Sequence, residues 1–101
     1  MPIVHLREKL QFDTQRFAPV FLHQGAGAKA VLVCLSDGQA IPPHPESNAA
    51  FFYVIEGKGV FSTPEGELAA EAGDWIHVPH GGVRGMRAEG SRIAVLAHAV
   101  G

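Results

Sequence analysis

The sequence predicts an all-β domain, a sandwich or barrel of short strands, on three observations. Apolar runs of roughly four to eight residues alternate with turn-forming breaks, the spacing expected of packed antiparallel strands. The 12 glycines and 7 prolines fall largely at those breaks. From residue 29 onward no window keeps a 3.6-residue apolar period over the length of a helix.

Taken in order, Val31–Leu35 ends at Ser36-Asp37-Gly38. Phe51–Ile55 ends at Glu56-Gly57-Lys58-Gly59, which reads as a tight turn. Val60–Thr63 stops at Pro64-Glu65-Gly66, and Glu67–Ala70 at Glu71-Ala72-Gly73-Asp74. Trp75–Val78 stops at Pro79-His80-Gly81-Gly82. Val83–Ala88 breaks at Glu89-Gly90, and Arg92–Ala99 is the last strand. The first 28 residues differ: Ile3–Leu10 reads either as an edge strand or as one helical turn, and Phe12–His23 is mixed and carries Pro19. The expected organisation is an arm over 1–28, packed on the barrel or on a partner subunit, followed by a barrel domain over 29–101.

Composition narrows the function classes. The 101 residues are 47 % hydrophobic and 18 % charged, against about 25 % charged in average chains, so the chain folds around one core. A formal charge of −2 argues against nucleic acid as a partner, because phosphate binding needs a basic excess. The single cysteine, Cys34, excludes an intramolecular disulfide and a Cys-cluster zinc site, and within Val31–Leu35 it reads as a small buried hydrophobe. Arg7, Glu8, Lys9, Asp13 and Arg16 interrupt the first twenty residues, so no secretory core is visible, and no apolar stretch approaches membrane-spanning length. The expectation is a cytoplasmic protein with no membrane partner.

Two blocks carry the chemistry. The first runs from Gly38 through Pro42-Pro43-His44-Pro45-Glu46 to Ala50-Phe51-Phe52-Tyr53-Val54-Ile55-Glu56-Gly57; the second is Gly73-Asp74-Trp75-Ile76-His77-Val78-Pro79-His80-Gly81-Gly82-Val83-Arg84. On an extended chain His44 and Glu46, two apart, share a side. Ala50, Phe52 and Val54 share one face of the next strand. Phe51, Tyr53 and Ile55 share the other, and this bulkier face is expected to pack the sheets together. Small Ala50 leaves room for a pocket, which Phe52 would floor.

These blocks resemble the two motifs of the cupin family. Gly38, His44 and Gly57 match the first, and Gly73, Pro79 and Gly81 the second, over roughly residues 29 to 100. The resemblance implies a double-stranded β-helix (jelly-roll) barrel and suggests a homodimer, with the N-terminal arm a candidate for exchange. It also implies a metal held by two His and a Glu from the first motif and a His from the second. Here only His44 is retained: the other positions are Glu46, Ala50 and Arg84. A guanidinium has no lone pair to give a cation and a methyl group offers nothing, so no cofactor is expected.

The expected pocket is therefore lined by His44, Glu46, Phe52 and Arg84, with His77 or His98, and holds a small polar or anionic ligand. Glu46 is expected either to pair with Arg84 through a bidentate bond or to be a solvated turn residue, and Arg84 itself either faces the pocket or turns to solvent. If the protein is an enzyme, His44 would serve as general acid or base and Arg84 would stabilise an oxyanion. The alternative is a metal-dependent enzyme, dioxygenase- or isomerase-like, holding a divalent transition metal through His44 and Glu46 with His80 or His98.

Overall fold

The computed structural model describes residues 3–100. It is built from seven strands: β1 (Val20–Gly25), β2 (Ala28–Leu35), β3 (Ala40–Pro45), β4 (Ala49–Thr63), β5 (Gly66–Glu71), β6 (Trp75–Val78) and β7 (Val83–Val100). All pairings are antiparallel, in the order β1-β2-β7-β4-β5, with β3 beside β7 and β6 beside β4. Among the described residues no helix is long and apolar enough to cross a membrane.

The expected all-β barrel is present, but two of its expected breaks are not. β4 runs through Gly57 and β7 runs through Gly90 as continuous strands. The β4–β7 ladder shifts register between Val54 and Glu56 and again between Gly57 and Gly59. Gly57 thus marks a bulge and a bend, not a hairpin turn. It has φ +81°, and a Cβ there would lie 1.9 Å from the Arg92 carbonyl oxygen, so only glycine lets the two strands pass so close.

The bend gives β4 and β7 a place in two layers. Their Ala49–Val54 and Ile93–Val100 halves pair with each other and with β6 and β2. Their other halves pair with β5 and β3. Between the layers lie Val33, Leu35, Phe52, Val54, Ile93 and Val95 from one side and Phe61, Met86 and Ala88 from the other. Burying such side chains stabilises by about 1.5–3 kcal/mol each. The sheets therefore pack through the Ala50–Phe52–Val54 face, opposite to the expectation. The Phe51 and Tyr53 face points outward, leaving Tyr53 44 % and Trp75 61 % exposed. Ring bulk misled here, because strand parity is set by what the neighbouring strands bury.

The N-terminal segment forms one 3-10 turn, Leu6–Lys9. Leu6, Leu10 and Phe12 lie on the outer side of the sheet over Leu32, Cys34, Ile55 and Ala94. Arg7 bonds to Glu56 at 3.3 Å, and the Arg92 guanidinium sits 4.4 Å over the Phe12 ring. The covering segment is shorter than expected, since β1 joins the sheet from Val20 and β2 begins at Ala28. Val20 and Leu22 supply the apolar alternation that pairs β1 with β2. Cys34 is 1 % exposed, and burial pushes its thiol pKa up, which suits a core residue and not a nucleophile.

Candidate functional site

The chemistry gathers at one end of the barrel, where the tail of β3, the starts of β2 and β4 and both ends of β7 meet. A cavity of about 230 Å³ opens there. Val31, Ala50, Phe52 and Ala97 form its apolar wall, and Lys29, His44, Glu46, Asn48 and Arg84 supply the polar groups.

Local sequence fixes His44. Pro42, Pro43 and Pro45 lack backbone N–H groups, so β3 cannot run as a regular ladder, and its pairing with β7 slips between Ile41 and His44. After the slip His44 stands opposite Arg84. Gly85 makes this approach possible: a Cβ there would meet the Pro43 backbone at 2.8 Å. His44 Nδ1 lies 3.0 Å from the Pro42 carbonyl oxygen. A carbonyl only accepts, so Nδ1 is the donor and Nε2 is left facing Glu46 Oε2 at 3.3 Å. Both side chains are about half exposed.

Arg84 is 7 % exposed, and it is held differently from the expected carboxylate pair. Its Nε donates to the Gly82 carbonyl at 3.2 Å. Nη1 donates to Asn48 Oδ1 at 3.0 Å. Nη2 donates to the Asn48 and Gly82 carbonyls at 2.7 and 3.1 Å, with those of Glu46 and Pro79 at 3.4 Å. The Glu46 carboxylate is turned to His44, so Glu46 meets Arg84 only through its backbone. Arg84 does not swing to the rim. It ties the turn at 46–48, which borders the cavity, to the turn at 79–82. Among the described residues no carboxylate pairs with it, so its charge is solvated by dipoles and is not cancelled.

The structure brings together His44, Glu46, Phe52 and Arg84 at the cavity. It does not bring His77 there. That ring lies on the outside of β6, stacked 5.0 Å from Phe51 and 6.1 Å from Trp75. His80 is exposed in the turn after Pro79 and does not border the cavity. His98 borders the rim, but its register partner on β4 is Phe51, whose ring faces outward, while neighbouring Ala97 pairs with inward-facing Phe52. Among the described residues no three His, Cys, Asp or Glu side chains converge as a metal site. The metal that the fold family implies does not fit these residues: His44 and Glu46 are two donors, Ala50 is none, and the fourth position holds a buried cation. Two participants carried no signal in the sequence. Asn48 is the main anchor of Arg84 through a contact 36 residues away, and Lys29 reaches the rim from a strand outside both motifs.

The Cupin_2 family, described as the cupin domain, matches residues 31–100, and the chain belongs to that family. The TT1209 protein of Thermus thermophilus is similar over 99 % of this chain and 97 % of its own, with TM-score 0.92 and 24 % identity. An rmlc-like cupin protein of Desulfovibrio desulfuricans is similar over 99 % and 96 %, with TM-score 0.86 and 27 % identity. The DMSP lyase DddQ of Ruegeria pomeroyi is similar over 85 % of this chain and 47 % of its own, with TM-score 0.76 and 19 % identity. No curated protein matches the sequence.

Proposed function

We propose that this cupin binds a small anion, a carboxylate- or phosphate-bearing molecule, at the end of its barrel and without the family's metal. The observation that carries the reading is the buried Arg84 guanidinium, bonded to carbonyl and amide oxygens and left without a carboxylate. A buried cation held only by dipoles keeps its field, and a ligand anion completes the pair that the protein omits. Lys29 at the rim adds attraction of the same sign, while the Glu46 carboxylate is turned to His44. The same charge opposes a divalent ion at the family position, by several kcal/mol at contact range in a partly dry site. The apolar wall of Val31, Phe52 and Ala97 suits a short hydrocarbon body behind the anionic head. At about 230 Å³ the cavity is smaller than the roughly 300–1,000 Å³ of drug-sized sites.

The His44–Glu46 pair favours a second, catalytic reading on the same site. With Nδ1 held by the Pro42 carbonyl, Nε2 and the Glu46 carboxylate face each other at 3.3 Å at the cavity mouth. That is the arrangement of a general acid or base beside a bound anion, as an isomerisation would use.

Calorimetric titration with small carboxylates and phosphates, each beside a neutral isostere, tests the binding. The expected result is one saturable site for an anion, weakened by salt and by Lys29→Met, with neutral isosteres silent. Equal binding of anion and isostere would overturn it. So would stoichiometric divalent metal in protein purified without a His tag, if chelation removed that metal and abolished binding. His44→Ala keeping affinity but losing turnover would select the catalytic reading.

A further inference from the structure

The cavity does not end at Lys29. A second hollow of about 280 Å³ shares Lys29, Asn48 and Ala99 with it, and Gln24, Gly25 and Gly27 border the far side. Strand pairing explains the continuity. Gln24 stands opposite Lys29, Lys29 opposite Ala99, and Ala99 opposite Ala50, so these four residues form one row across β1, β2, β7 and β4. Ala50 belongs to the inner core, and directly opposed residues share a face, so the row runs along the inside of the sheet. Its three interstrand steps span about 14 Å. The next inner row holds Phe21, Val31, Ala97 and Phe52, so the methyl groups of Ala50 and Ala99 lie low beside taller side chains and leave a trough.

Gln24 owes its place in that row to an irregularity in β1. Phe21 pairs with Val31, but the next pair is His23 with Ala30, which makes Leu22 an extra residue. Strict alternation from inward Phe21 would turn His23 in and Gln24 out, and the bulge reverses them. The two hollows also differ in chemistry. Arg84 and Lys29 place positive charge on the first. Among the described residues the second has no charged side chain beyond Lys29, and its other polar side chains are the carboxamides of Gln24 and Asn48. Asn48 Oδ1 accepts from Arg84 Nη1 at 3.0 Å, so its Nδ2 hydrogens point away from Arg84. Carboxamides give and take hydrogen bonds without charge, and an amide answers both roles.

We infer that the ligand is elongated: an acid whose anionic head sits at the Arg84 end and whose tail ends in an amide that Gln24 recognises. This inference rests on the anion reading above and makes Gln24 the residue that sets specificity for the tail. Together the two hollows come within the roughly 300–1,000 Å³ of enclosed small-molecule sites, which the first alone does not reach.

Calorimetric titration with three carboxylates tests the inference: butanoate, which reaches only the head end; adipamate, which adds the amide tail; and 6-methylheptanoate, the apolar isostere of adipamate. Adipamate is expected to bind about tenfold or more tighter than either of the others. Gln24→Leu, with circular dichroism retained, is expected to remove the margin over butanoate. In nitrogen-15 NMR of the native protein, the Gln24 side-chain amide is expected to move with adipamate and to stay fixed with butanoate, a readout that holds even if the variant fails to fold. Equal affinity for adipamate and 6-methylheptanoate overturns the inference, as does a margin that survives Gln24→Leu or a Gln24 amide that adipamate leaves unmoved. In each of those outcomes butanoate still binds and the anion reading stands. If none of the three carboxylates binds, both fall.

Discussion

Two arginines of β7, three residues apart, show opposite ways of carrying a charge. Arg87 is on the outside. It meets Glu67 on β5 with Nη1 at 2.7 Å and Nη2 at 3.2 Å, and meets Glu89 at 2.7 Å through Nε. These partners push its pKa up and hold the Glu67 carboxyl below the usual carboxylate range. Its charge is cancelled, in water, by two acids. Arg84 is inside, held by backbone carbonyls and one amide oxygen, with nothing to cancel it. A protein that needed only stability at position 84 would do better with an apolar side chain there. The contrast shows a buried charge that braces two turns, and on the proposed reading it is also free to attract an anion.

The largest expected break in that contrast is Arg84→Ala. It leaves a void and strips the Asn48 and Gly82 carbonyls of their donor, with an expected loss of about 3 kcal/mol or more in chemical denaturation. Arg84→Lys should recover less than half of that, because one ammonium cannot span both turns. Next comes His44→Ala. Half-exposed His44 braces little, so the variant should keep its melting temperature within a few degrees while small-anion affinity falls about tenfold. Cys34 gives a pH signature. Its pKa is raised in the fold, so its contribution is complete below the unfolded thiol value and is lost as pH rises from there towards the folded value. Stability measured by denaturant should therefore decline from about pH 8.5 upward in the native protein and less in Cys34→Ala. The smallest effect belongs to Arg87→Ala, where exposed ion pairs should leave the melting temperature unchanged within error. Glu67, with its pKa lowered, contributes only above the unfolded carboxylate value, and that contribution fades as pH falls through the folded one.

The barrel was legible because glycine and proline report backbone demands one residue at a time. Gly38, Gly66, Gly73 and Gly81 all take positive φ in turns where breaks were expected. Gly57 misread as a turn shows the limit: the same signal marks a bulge when a distant strand, here at Arg92, presses against it. The site was half legible. His44 and Arg84 stood out by motif position, but what holds Arg84 depends on Asn48, a bond spanning 36 residues that no local spacing encodes. For the same reason Phe51 and Tyr53, expected to pack the sheets together, turn outward beside Trp75 and His77. Alternation gives two faces, and only the partner strands say which one is inside.

The most direct test is nitrogen-15 NMR of the Arg84 Nε–H and the Asn48 side-chain amide during titration with short carboxylates and with their neutral amides. Both groups are expected to shift saturably with the carboxylates and to stay fixed with the amides. Shifts of equal size with the amides, or no response at Arg84 while a carboxylate binds elsewhere, would contradict an uncancelled charge as the basis of recognition.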